Sequence, residues 1–75
     1  MAREQVTEIV AEMVANVMNV AVAAGDTVAF GDTVVLLESM KMEIPVIAEV
    51  AGTVSKVSVS VGDVIQAGDL IAVIS

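Results

Sequence analysis

The 75-residue sequence predicts an all-β fold: a flattened eight-stranded barrel or sandwich made of two four-strand repeats related by a quasi-twofold axis. Three observations lead there. The chain repeats at an offset of 37 residues, Gly-Asp doublets stand at matching places in both copies, and short runs of Val, Ile and Leu lie around them. Aligned with itself, the chain puts Gly25-Asp26 on Gly62-Asp63 and Gly31-Asp32 on Gly68-Asp69. Ala11, Glu12, Val17, Val20 and Val22 fall on Ala48, Glu49, Val54, Val57 and Val59, giving about nine identities in some thirty positions. The copies span about residues 6–38 and 43–75 of one domain covering residues 1–75.

The first segment carries two patterns. Val6, Ile9, Val10, Met13, Val14 and Val17 recur at helical spacing, with Glu4, Glu8 and Glu12 on the other face. Its repeat partner, Ile44-Pro45-Val46-Ile47-Ala48, holds a proline in a β-branched run and is a poor helix, so residues 6–11 are expected to be a strand. Next come the alternating stretches Val20-Ala-Val22 and Val57-Ser-Val-Ser-Val61, read as strands, each followed by a Gly-Asp turn, a short link and a second Gly-Asp turn. Glycine supplies the positive φ of a tight turn, and aspartate is expected to hydrogen-bond its own backbone one or two residues further on. Each copy closes on a buried run, Val34-Val-Leu-Leu37 or Leu70-Ile-Ala-Val-Ile74.

Neither copy is large enough to bury its own apolar face, so the two are expected to pack face to face. Glu38 corresponds to Ser75 under the offset, which sets the turn linking the copies and the chain termini at opposite ends of the molecule.

Composition narrows the function. The chain is 57% hydrophobic but 1% aromatic, the lone ring being Phe30, so its core is aliphatic. Three basic against ten acidic residues give a net charge of −7, which repels a phosphate backbone and argues against nucleic acid as a partner. No Cys or His is present, which removes disulfides, Cys and His nucleophiles and the usual zinc ligand sets, so no metal site is expected. The longest uncharged stretch, Met13 to Gly25, is interrupted by Asn16 and Asn19 and falls short of the roughly 18 to 20 apolar residues of a spanning helix. Arg3, Glu4, Glu8 and Glu12 leave the N-terminus without the apolar region of a secretory signal, and a cytoplasmic location without membrane contact is expected. Met1 and the end at Ser75, directly after the last apolar run, favour a free-standing chain, expected to be monomeric in isolation.

The turn between the copies reads Glu38-Ser-Met-Lys-Met-Glu43 and holds one of the two lysines. Hairpin loops prefer Gly, Asn or Asp, so two methionines around Lys41 are not explained by turn formation. In a purely structural reading Met40 and Met42 point inward and Lys41 is a solvated edge charge. Lys56, whose repeat partner is Asn19, has no flanking methionines and reads as a strand-face charge. Asp26, Asp32, Asp63 and Asp69 read as turn formers rather than metal ligands.

The segment Glu38-Ser-Met-Lys-Met-Glu-Ile-Pro-Val46 resembles the attachment hairpin of the biotinyl/lipoyl carrier domain family, and Met-Lys-Met is that family's biotinylation signature. With the Gly-Asp pairs on either side, the resemblance covers nearly the whole chain and is closest to small stand-alone biotinylated proteins of actinobacteria. It implies an eight-stranded flattened barrel that is a non-catalytic biotin carboxyl carrier. Biotin would be amide-linked to Lys41 and positioned with the help of Met40 and Met42. The partners implied are a biotin protein ligase and the biotin carboxylase and carboxyltransferase subunits between which the carboxyl group is shuttled. The lysine stem and biotin's valeryl chain give about ten rotatable bonds and a reach on the order of 15 Å. One departure is Glu12-Met13-Val14-Ala15-Asn16, which keeps only the methionine of the Pro-Met-Pro-Gly segment common in carriers, so a looser first bend is expected. Two alternatives stay open on the same fold: a lipoyl carrier, whose hairpin usually reads Asp-Lys-Ala, and an unmodified barrel serving as an assembly adaptor.

Overall fold

A computed structural model describes residues 6–75; Arg3 and Glu4, used above in reading the N-terminus, lie outside the described residues. The strands are β1 (Thr7–Val10), β2 (Ala15–Val20), β3 (Thr27–Val28), β4 (Thr33–Ser39), β5 (Met42–Ile47), β6 (Gly52–Val57), β7 (Val64–Ile65) and β8 (Leu70–Ile74). The segment with two competing patterns is thus strand. Its helical spacing loses to pairing of β1 with β8, in register from Thr7 opposite Ile74. No helix among the described residues is long and apolar enough to cross a membrane.

Two antiparallel four-stranded sheets form a flattened sandwich, with orders β1-β8-β6-β3 and β5-β4-β2-β7. The 37-residue offset carries β1, β8, β6 and β3 onto β5, β4, β2 and β7, so it exchanges the two sheets. Each sheet takes two strands from each copy. The copies are therefore interlaced rather than stacked as one sheet per copy, because every strand has a ladder partner in the other copy: β1 with β8, β2 with β7, β3 with β6 and β4 with β5.

The alternating stretches were expected as strands in their own right, but β2 and β6 end at Val20 and Val57, where those stretches begin. Ala21 and Ser58 each donate one further bond, to the carbonyls of Val34 (2.9 Å) and Ile71 (2.8 Å), before the backbone leaves for a turn. Alternation persists past the ladder because Val59 is still buried and Val22 still packs on the core.

The aspartates act in the opposite direction from the one expected. Each Oδ2 accepts from the amide three residues earlier, at 2.8 to 2.9 Å: Ala23 to Asp26, Ala29 to Asp32, Ser60 to Asp63 and Gln66 to Asp69. Each aspartate N–H returns a bond to the carbonyl of that same residue, and the intervening glycines have φ between 93° and 97°, the signature of a type II turn. Every turn also docks on a buried residue of the other copy. Gly25 N–H donates to the Val54 carbonyl and Val54 N–H donates to the Asp26 carbonyl; the same two-bond clasp joins Gly31-Asp32 to Ala48, Gly62-Asp63 to Val17 and Gly68-Asp69 to Ala11. The four Gly-Asp doublets are thus the stitching between interlaced copies.

Bulges explain why consecutive residues are buried. Val34 and Ile71 are skipped in the pairing of β4 with β5 and of β8 with β1, and Val34-Val35 and Ile71-Ala72 are fully buried as pairs. With Val17, Val54, Leu37, Ile65 and Ile74 they form the aliphatic core.

Candidate functional site

β4 and β5 form a hairpin whose last pairs are Glu38 opposite Glu43 and Ser39 opposite Met42, leaving Met40 and Lys41 as a two-residue loop. Both loop residues have positive φ, 54° and 64°, and they are the only non-glycine residues to do so among the described residues. This is the type I′ geometry that matches strand twist and favours Asn-Gly. A side chain in the left-handed region costs about 1–2 kcal/mol, so Met-Lys occupies the tip against backbone preference. Directly opposed Glu38 and Glu43 add a like-charge pair at the hairpin root.

The side chains at this tip are presented rather than packed. Met40 is 91% exposed and Met42 63%, which overturns the reading in which they point inward, and Lys41 is exposed between them. A two-residue loop beyond the last ladder pair has no facing sheet to bury them. Lys56 stands apart on β6 in the other sheet, exposed and opposite Val73.

Ser39 supplies a support that composition did not reveal. Its hydroxyl donates to the Val14 carbonyl at 3.0 Å, tying the hairpin root to the bend between β1 and β2. That bend was expected to be loose, yet it is held there and by the clasp on Ala11. Beside the hairpin lies a recess lined by Val14, Asn16, Glu38, Ser39, Lys41 and Val64 among others. Neither Asn16 nor Val64 was singled out by the sequence as a site residue; pairing of β2 with β4 and with β7 is what brings them near Lys41.

The described residues contain no cluster of three or more acidic side chains suited to hold a metal ion. The arrangement offers one exposed primary amine on a two-residue tip, steadied by β4 and β5 and framed by two exposed thioethers. That is suited to being acylated, and the space around the tip leaves an attached group free to move.

Residues 5–74 match the biotin/lipoyl family described as "Biotin-requiring enzyme". A biotinylated protein TB7.3 homolog of Mycolicibacterium smegmatis is 69% identical over 36 residues, 48% of this chain and 51% of that protein. The matched segment thus spans about half the length of such curated relatives. Kluyveromyces lactis urea carboxylase superposes on all of this chain with a TM-score of 0.88 and 35% identity, using 7% of its own length. A single-chain, multi-domain long-chain acyl-CoA carboxylase covers 97% of this chain with a TM-score of 0.85 and 30% identity, over 8% of its own length. The two-sheet fold, the Met-Lys-Met hairpin and the match over residues 5–74 together place the chain in the biotin/lipoyl family.

Proposed function

We propose that the chain is a non-catalytic biotin carboxyl carrier with Lys41 as the attachment residue. One observation carries this: the exposed lysine sits at the apex of a strained two-residue turn between two exposed methionines. Its ε-amine is the group to be acylated, and a ligase must supply both the base and the activated acid, because the tip itself contributes no proton acceptor. Biotin, when bound, supplies a ureido nitrogen that carries a carboxyl group. The chain's own part is delivery: β4 and β5 hold the anchor point, Ser39 braces its root on Val14, and Met40 and Met42 offer soft, adaptable surface beside the arm. Amide formation removes the charge of Lys41.

The partners of this reading are a biotin protein ligase and carboxylase subunits, met in the cytoplasm; the carboxylase domains among the structural relatives support it. Mass spectrometry of protein isolated from its native host tests it. A single biotinyl adduct on Lys41 is expected, and a lipoyl adduct or unmodified protein from biotin-replete cells would overturn it. Capture through the biotin group, followed by identification of co-purifying carboxylase subunits, tests the partner assignment.

A further inference from the structure

The outer face of the sheet at the hairpin root carries a row of side chains that acylation of Lys41 does not require. Val64, Asn16 and Glu38 are in register across β7, β2 and β4. Directly opposed residues of antiparallel strands share a face. Their neighbours Ala15, Val17, Leu37 and Ile65 are buried, so this row points to solvent. One step nearer the tip, Val14 adds another side chain, its backbone held by Ser39. These residues, with Lys41 at the rim, line an open recess of about 310 Å³.

Val14 is 62% exposed and Val64 66% exposed, and neither contributes to the core. Between them stand a carboxamide and a carboxylate. The biotin head is a cyclic urea fused to a sulfur-containing ring, with one carbonyl acceptor, two N–H donors and an apolar body. Asn16 can donate to the carbonyl, the Glu38 carboxylate can accept from an N–H, and the two valines offer apolar wall to the ring. We propose that the recess beside Lys41 is a resting site for the biotin head, held by Asn16 and Glu38 against Val14 and Val64. This rests on attachment at Lys41 as proposed above. Ordering the long arm costs conformational entropy, so the head exchanges between recess and solvent, as a carrier that must surrender its group requires.

The test installs biotinyl-lysine at position 41 by codon expansion and compares it, by amide and methyl NMR, with the same protein carrying acetyl-lysine there. Both forms lack the lysine charge, so their differences report the valeryl chain and the head it carries, and only the ring-proton contacts report the head itself. The expected result is shifted signals from the Asn16 side-chain amide and the Val64 backbone, with through-space contacts from the ring protons to the Val14 and Val64 methyls. Asn16→Asp, which replaces the donor by a second carboxylate, and Val64→Asp should each abolish those contacts while the remaining spectrum stays that of the folded protein. Biotinyl and acetyl spectra that differ only within residues 39–43, or differences that survive both substitutions, would overturn the proposal. Whether a ligase modifies Lys41 is read separately, from the mass of protein co-expressed with ligase, so a failure of attachment and a failure of the recess are distinct outcomes.

Discussion

A Cβ placed on Gly52 would lie 2.8 Å from Cγ2 of Ile74, so a methyl of Ile74 fills the space that any other residue at position 52 would need. The quasi-symmetric positions are Ala15 and Leu37. Leucine branches at Cγ and carries no methyl on Cβ, and there the chain has alanine in place of glycine. The two copies therefore differ by a matched pair of residues, glycine with isoleucine and alanine with leucine.

Gly52→Ala should destabilise the protein by about 1–3 kcal/mol, the range for overpacking a dense core. Urea unfolding checks this. Ile74→Leu in the same chain should recover part of the loss, though the Ser75 carbonyl oxygen, 2.9 Å from the same Cβ position, keeps recovery incomplete. A double variant no more stable than Gly52→Ala alone would show that Ile74 is not the obstacle.

Lys41→Arg should abolish avidin recognition while Lys56→Arg leaves it intact. Arginine keeps the charge and the exposed position but its guanidinium is not acylated under these conditions. Avidin blotting of both variants co-expressed with a biotin protein ligase gives the answer, and persistent labelling of the Lys41 variant would dismiss the site.

Met40→Leu with Met42→Leu separates being modified from being useful. Both side chains are largely exposed, so stability should change by no more than about 0.5 kcal/mol. Biotinylation should survive, whereas turnover in a reconstituted carboxylation assay should fall, because leucine lacks the thioether's flexibility and polarizability. Normal turnover would reduce the methionines to neutral surface; loss of biotinylation would show that the ligase reads them directly.

Met40→Asn should raise stability by roughly 0.5–1 kcal/mol, since asparagine tolerates the left-handed conformation that Met40 adopts at φ 54°. The midpoint of urea unfolding should rise. An unchanged midpoint would mean that the turn holds no releasable strain.

Asp26→Ala and Asp63→Ala should cost similar amounts, about 1 kcal/mol each, because the two carboxylates close equivalent turns with bonds of 2.9 and 2.8 Å. Asparagine at either position keeps the acceptor and should lose less. It removes the same negative charge as alanine, so the comparison isolates the hydrogen bond. Alanine and asparagine variants of equal stability would contradict the role assigned to Oδ2.

The sequence by itself determined the repeat, the all-β class, the four Gly-Asp turns and the Met-Lys-Met hairpin, because each is local: positive φ at glycine, proline against helix and alternation of apolar residues act over a few residues. It misjudged where β2 and β6 end, since Val22 and Val59 alternate for burial after the ladder has stopped, and it misjudged the direction of the aspartate bonds, which depends on the turn already being closed. Only the tertiary structure decided that the copies interlace, through clasps such as Gly25-Asp26 on Val54, and that Met40 and Met42 face solvent. Tertiary structure alone also brought Val14, Asn16 and Val64 beside Lys41: they lie on β2, on β7 and in the bend before β2, far from the hairpin in sequence, and pairing across the sheet gathers what no local pattern connects.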